Sequence, residues 1–262
     1  MTRYGELMRA TGRNFSIENH KKPEGPTGCH LGGASSCPTL DYCPFNWYRS
    51  SHDISSKASS WFGNLQTVIP FVGDPPLSRP GCWAYPDMLE VGRVEAPNDN
   101  QSYWLSWNRA HFGAWCAVSS PLILGLELSD ANLDPILDII GNTEAIDVNQ
   151  AWAGHPGRLV AELPVAPSSS DWAVRRSGQG QAPPPPPMNQ RQLWAKPLEG
   201  GGVAALVINA SPHSIEAGAE RLSFAALNLT DEGGVAASSA MVRDIWCGER
   251  SNSRRPIPHE KR

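Results

Sequence analysis

Apolar positions along the first 150 or so residues alternate between short runs and helically spaced series, which is the signature of strands alternating with helices. Residues 14–19 read as a strand ending in polar residues, followed by a long loop rich in Gly, Pro and Cys. Asn46-Trp47-Tyr48-Arg49 reads as the next strand, and Ile54, Ala58, Trp61, Phe62, Leu65, Val68 and Ile69 follow it at helical spacing. Cys82-Trp83-Ala84 is a third short strand, ahead of a helix from about Gln101 to Ser119 that carries Trp104, Trp107, Phe112, Trp115 and Val118. Pro121 to Gly125 is a compact buried strand, and Leu133, Ile136, Leu137 and Ile140 mark a further amphipathic helix. Four strands alternating with helices amount to half of a (β/α)8 barrel.

Beyond Gly154 the period shortens towards two. Leu159–Leu163, Trp172–Arg175, Gln192–Ala195, Val203–Ile208 and Met241–Trp246 are short strands between turn residues, the pattern of an antiparallel β domain. The run Pro183 to Pro187 cannot join a ladder and is expected as an exposed polyproline insert. The predicted fold is therefore α/β: the second half of a (β/α)8 TIM barrel over residues 1–155, an antiparallel all-β domain over 156–247 and a disordered tail over 248–262.

Composition narrows the function. With 22 basic and 26 acidic residues in 262, the chain carries a formal charge of -4, which excludes a phosphate-binding surface and with it nucleic acid as a partner. No run of 18 apolar residues exists to cross a bilayer. Ten tryptophans supply flat faces, most for the core and some suited to stacking on sugar rings. No apolar leader is read at Met1 to Glu6, so no signal peptide is expected in this chain. Cysteines at 29, 37 and 43 and Asn-x-Ser/Thr acceptors at Asn14, Asn100, Asn209 and Asn228 nevertheless suit an exported protein. No Cys-x-x-Cys, Gly-x-Gly-x-x-Gly or Walker-type loop occurs, so neither a metal nor a nucleotide cofactor is expected.

Barrel enzymes place reactive groups just after their strands. Glu18, Arg49 with Asp53, and Asp87 with Met88 fall there. Carboxylates on adjacent strand ends suit glycoside cleavage, which needs one acid to protonate the leaving oxygen and a second to attack or to activate water. The plainer alternative is that they cap helices, Asp53 opening the helix that follows it.

Tyr48-Arg49-Ser50-Ser51-His52-Asp53-Ile54 resembles the Arg-Thr-Ser-Gly-Asp-Ile segment of α-galactosidases of glycoside hydrolase family 27. Gly81-Cys82-Trp83-Ala84-Tyr85-Pro86-Asp87-Met88-Leu89-Glu90-Val91-Gly92 resembles their Gly-Gly-Trp-Asn-Asp-Pro-Asp-Met-Leu-Glu-Val-Gly block. The runs from His111 to Gly125, Glu144 to Gln150 and Ala10 to Arg13 are similar to further family segments. The resemblance implies a retaining hydrolase of terminal α-galactosyl groups, with Asp53 as the catalytic acid/base. Arg49, Asp87, Met88 and Glu18 are implied as substrate-binding residues.

The substrate implied is an α-galactoside oligosaccharide or glycoconjugate, and the full-length form is expected to be a secreted or lysosomal/vacuolar homo-oligomer. The family's attacking Asp, in a Lys-Tyr-Asp-Asn-Cys-like motif, has no counterpart in the 262 residues, so this chain is expected to be inactive alone. Ala84-Tyr85 stands in place of Asn-Asp before Pro86, and His52 in place of the Gly before Asp53. The rival readings are an α-N-acetylgalactosaminidase and a non-catalytic sugar-binding remnant. Cys43 is expected to be oxidised with Cys29 or Cys37, in a neighbourhood that matches a family disulfide region.

Overall fold

The computed structural model describes residues 2–20, 38–95, 101–164, 190–210, 223–230, 234–235, 237–246 and 255–256. The polyproline run and the strand expected at Trp172–Arg175 lie outside them, as do residues 248–262 apart from 255–256.

The chain opens with helix α1 (Thr2–Ala10) and then lays down three short parallel strands, β1 (Glu18–Asn19), β2 (Trp47–Arg49) and β3 (Trp83–Tyr85). They are hydrogen-bonded in the order β1-β2-β3, with Trp47 opposite Glu18 and Trp83, and Arg49 opposite Tyr85. Helix α2 (Ala58–Gln66) covers the β2 crossover and the long helix α3 (Gln101–Ala117) the β3 crossover. Parallel strands need such crossovers, and their buried faces explain why Tyr48 and Ala84 are almost fully enclosed.

The segment 121–125 differs from its expectation. Instead of a buried strand it makes a single parallel bridge, Leu89 to Leu124, closed by Leu89 N–H to Ile123 O at 2.7 Å and Gly125 N–H to Leu89 O at 2.9 Å. Ile123 remains 39% exposed, because only the 89 side of this segment carries a partner among the described residues. The helix expected around Leu133 to Ile140 is also broken. It consists of α4 (Asp130–Leu133), a 3-10 turn (Asp134–Ile136) and α5 (Leu137–Ile140). Pro135 sits in the turn, where its missing N–H and fixed φ interrupt the regular ladder. Helix α6 (Thr143–Gln150) follows, and Asn142 caps it by accepting Ala145 N–H at 3.0 Å.

The tail forms an antiparallel sheet of β4 (Arg158–Pro164), β5 (Gln190–Pro197) and β6 (Val203–Ala210), with a bulge between Leu159 and Ala161. A two-stranded ladder, β7 (Met241–Val242) with β8 (Arg255–Pro256), lies apart from it. Both parts share one core. Trp61, Trp115 and Trp194 are its largest enclosed side chains, contributed by α2, α3 and β5.

The disulfide expectation is corrected. Cys43 is bonded to Cys82, 39 residues away, and not to Cys29 or Cys37. Cys43 precedes β2 and Cys82 precedes β3, and the parallel register of those strands brings their leading ends side by side. Adjacency across the sheet, rather than along the loop, chose the partner.

Candidate active site

The site is built at the C-terminal ends of β2 and β3. Arg49 is the last residue of β2 and only 4% exposed, so its guanidinium needs fixed acceptors. Asp87, two residues beyond β3, supplies them: Arg49 Nη2 donates to Asp87 Oδ2. The same Nη2 donates to Asp53 Oδ1 at 3.0 Å, and Nε donates to Ser51 Oγ at 3.3 Å. One cation therefore joins two carboxylates contributed by neighbouring strands.

The two acids live in different surroundings. Asp87 is buried and its acceptors are occupied: Oδ2 also takes Ile54 N–H at 2.8 Å, and Oδ1 takes Met88 N–H at 2.8 Å. It is an anchor, held as a fixed acceptor by three donors. The Asp53 side chain is 85% exposed, with Oδ1 on Arg49 and the other face of the carboxyl turned to solvent. Such a group is tethered yet open to solvent. The alternative that Asp53 caps the following helix is not realised, because α2 begins at Ala58 behind Lys57 and has no side-chain cap.

Asp87 adopts φ +85°, a left-handed conformation that a side chain rarely takes without support. Helix α3 provides that support. Asn108, His111 and Trp115 lie three and four residues apart, hence on one helix face. Trp115 Nε1 donates to Asp87 O at 2.7 Å, His111 Nε2 accepts Glu90 N–H at 2.9 Å, and Asn108 Oδ1 accepts Gly92 N–H at 2.7 Å. His111 is sealed between Trp61, stacked at 5.2 Å between ring centres, and Trp115, edge-on at 4.2 Å. Burial pushes its pKa down to about 3, so the ring is neutral and Nε2 is free to accept.

The sequence-derived residues do not all converge. Arg49, Asp53 and Asp87 are brought into contact. Glu18 stands on β1 opposite Trp47 and pairs with His20 at 3.6 Å. Burial, then the charges of Asp87 and Glu18, raise the Tyr85 hydroxyl above the ordinary phenol range, with Arg49 opposing them. Met88 is 36% exposed and lines a separate groove of about 490 Å³ with Gly92, Arg93, Leu124, Gly125 and Glu127. That groove does not include Asp53, and the chemistry is better placed at the Arg49 cluster, where the carboxylates meet.

Sequence reasoning passed over Tyr85, His111 and Glu90. Tyr85 had a signal, two residues before Asp87 and thus on the same face of an extended segment. Glu90 is 3% exposed, with one oxygen on Arg93 Nη1 at 3.3 Å and the other shielded without a partner. Burial raises its pKa, Arg93 opposes the shift and Asp87 adds to it.

Residues 188–260 match the family model described as the alpha galactosidase C-terminal beta sandwich domain. Alpha-galactosidase 3 of Arabidopsis thaliana is 27% identical over 203 residues, 77% of this chain and 37% of that protein. A match of that length cannot fit within either the parallel-strand part or the tail alone. An alpha-N-acetylgalactosaminidase of Rattus norvegicus is 30% identical over 121 residues, 44% of this chain and 26% of that protein. The crystal structure of alpha-galactosidase I from Mortierella vinacea superposes with a TM-score of 0.55 at 21% identity, covering 97% of this chain and 55% of that one. The chain thus spans roughly a quarter to a half of the length of these proteins. By sequence over both of its parts and by fold, the chain is a relative of the α-galactosidases, the melibiases of glycoside hydrolase family 27.

Proposed function

We propose that this chain carries the acid/base side of a retaining α-galactosidase site, on half a (β/α)8 barrel formed by residues 1–155. The β-sandwich of 156–247 and a tail of 248–262 complete the arrangement. The observation that carries the reading is the single buried guanidinium of Arg49 joining an enclosed, fully hydrogen-bonded Asp87 to an exposed Asp53.

Retaining cleavage divides labour between two carboxyl groups about 5 Å apart across the anomeric carbon. Asp53, with one oxygen held by Arg49 and the other facing solvent, gives its proton to the departing oxygen and later takes one from water. Asp87 keeps one lone-pair position beyond its three donors for a sugar hydroxyl, and Arg49 donates to the same hydroxyl. Met88, in the groove next to Asp87, and Glu18, on β1, are the further substrate-binding residues of this reading. Glu18 favours galactose, since a carboxylate there crowds an acetamido group at the sugar's second carbon. The attacking carboxylate belongs to a Lys-Tyr-Asp-Asn-Cys-like motif that the printed sequence does not contain.

The proposed substrate is an α-galactoside oligosaccharide or glycoconjugate, and the proposed setting is an exported or lysosomal/vacuolar one, in which the full-length form is a homo-oligomer. The rat relative supports a second reading, α-N-acetylgalactosaminidase, on the same acids. In a chain that also supplies the attacking carboxylate, Asp53→Asn should lower cleavage of an alkyl α-galactoside by about 100- to 10,000-fold and spare an activated nitrophenyl one. Equal losses on both substrates would remove Asp53 from the acid role. Faster cleavage of the matching N-acetylgalactosaminide would select the second reading.

A further inference from the structure

We infer that Asn14 and Asn228 are N-glycosylation sites and that the equally well-formed sequence motif at Asn209 is not one. The inference rests on the proposal that the protein is exported. It also draws on a separate observation, the Cys43–Cys82 disulfide, which needs an oxidising compartment to persist.

Asn-x-Ser/Thr alone only nominates an acceptor. The side-chain amide must also stand clear of the fold with room for a branched sugar, and the three motifs among the described residues separate on that point. Asn14-Phe15-Ser16 is exposed at all three residues, in the irregular segment between α1 and β1. Among the described residues, the backbone there takes no part in a ladder. Asn228-Leu229-Thr230 lies in a turn after Ser223, closed by Leu227 N–H to Ser223 O at 3.1 Å and Leu229 N–H to Phe224 O at 2.9 Å. Asn228 takes φ +56°, a conformation that Asn tolerates better than other side chains, while Leu227 and Leu229 pack inward against Leu193 and Ala195. Asn228 and Thr230 are left exposed on the outer side of the turn.

Asn209 is held differently. It is half-buried in β6, opposite Arg191 of β5, on the face of the strand away from the enclosed Ile208 and Ala210. Its side-chain carbonyl oxygen is shielded from solvent. A sugar on its amide nitrogen would force that side chain out of the sheet surface.

The reaction draws on a polyprenyl-diphosphate-linked oligosaccharide, the lumenal donor class. The Asn amide nitrogen attacks the anomeric carbon, a C–N bond forms, the C–O bond to the lipid diphosphate breaks and the amide gives up one proton. The diphosphate leaves with the bonding pair.

The test is to pass residues 1–262 through the secretory route of eukaryotic cells behind a heterologous leader. Both medium and cell-retained protein are then mapped by mass spectrometry, before and after enzymatic deglycosylation in heavy-oxygen water. Asn14 and Asn228 should appear as sugar-bearing peptides converted to labelled Asp, and Asn209 as unmodified Asn. Asn14→Gln and Asn228→Gln should each remove one step of gel retardation, and Asn209→Gln none. A glycan on Asn209, or none on Asn14 or on Asn228, overturns the inference. Because the leader forces export, a natural protein that proves not to be exported would refute the proposed location by a separate localisation assay, leaving this outcome readable.

Discussion

Arg49 is the residue on which the site turns, and burial decides what each of its contacts contributes. Asp87 is enclosed with it, so removing that carboxylate leaves a buried cation facing a vacated acceptor. Asp87→Ala should destabilise by about 3 kcal/mol, read as a lowered urea midpoint with an unchanged slope. The Asp53 carboxylate is largely in water and Arg49 keeps Asp87 when it is lost, so this contact counts as an exposed ion pair of about 0–1 kcal/mol. Asp53→Ala should therefore leave the midpoint almost where it was. Comparable losses in both variants would mean that the two acids are not divided into anchor and proton carrier.

At this scale the sequence was informative about identity and blind to surroundings. Arg49, Asp53 and Asp87 were legible as polar residues just past short apolar runs. That Asp87 takes three donors while Asp53 keeps only Arg49 was not, because it depends on Ile54 N–H and Met88 N–H, backbone donors that no residue type announces. Tyr85 was noticed only as a departure from a family motif. Its place opposite Arg49 follows from the strand register.

Among the elements, α3 does most to shape the site. Its polar face of Asn108, His111 and Trp115 holds the 87–92 segment, while its apolar residues fill the core. His111 must stay neutral to accept Glu90 N–H, and its folded pKa of about 3 lies below the ordinary value of 6.5. For a base depressed in this way the unfolded chain binds the proton first. The stabilisation is complete above pH 6.5 and is lost as pH falls towards 3, by at most about 1.4 kcal/mol per pH unit. Glu90, whose pKa burial raises, works in the opposite sense. Unfolding free energies between pH 6.5 and 5 should therefore drop for the parent chain and stay flatter for His111→Gln. Parallel profiles would show that His111 is not a buried neutral acceptor.

Elements were the most legible level. The cores of β2, β3, α2 and α3 stood out because their aromatic and branched residues follow periods of two or 3.6. α1 did not: it is short, interrupted by Gly5, and leaves Tyr4 and Leu7 exposed, so it shows little apolar stripe. The disulfide was misassigned because loop length describes proximity along the chain and not across a parallel sheet. Non-reducing peptide mapping should yield a Cys43–Cys82 pair, and losing it as Cys43→Ser should cost up to about 4 kcal/mol by the chain-entropy argument. A Cys43 peptide joined to Cys29 or Cys37 would restore the sequence-based pairing.

For the whole molecule, the question is what fixes the tail sheet against the helices. Lys196 of β5 is fully enclosed and donates to Ser119 Oγ at 2.7 Å, to Asn149 O at 3.0 Å and to Val148 O. These acceptors sit at the C-terminal ends of α3 and α6, where unpaired carbonyls favour a cation. Gln192 and Gln66 exchange side-chain amide bonds at 2.7 and 3.1 Å across the same boundary. Lys196→Met keeps the stem and removes the donors, and should cost about 2 kcal/mol. The urea midpoint would report it, together with a loss of near-ultraviolet tryptophan signal from Trp194. An unchanged midpoint would mean that packing alone joins the two parts.

The central claim concerns the whole chain: it holds an acid/base and its anchor without an attacking carboxylate. The direct measurement is turnover of a nitrophenyl α-galactoside by purified residues 1–262, shown to be folded by near-ultraviolet circular dichroism and freed of host glycosidases. The account predicts no release of nitrophenol above buffer, because Asp87 is bound by three donors and, among the described residues, no third carboxylate pairs with Arg49. Turnover that persists through purification and disappears in Asp87→Asn would contradict it and make Asp87 the nucleophile.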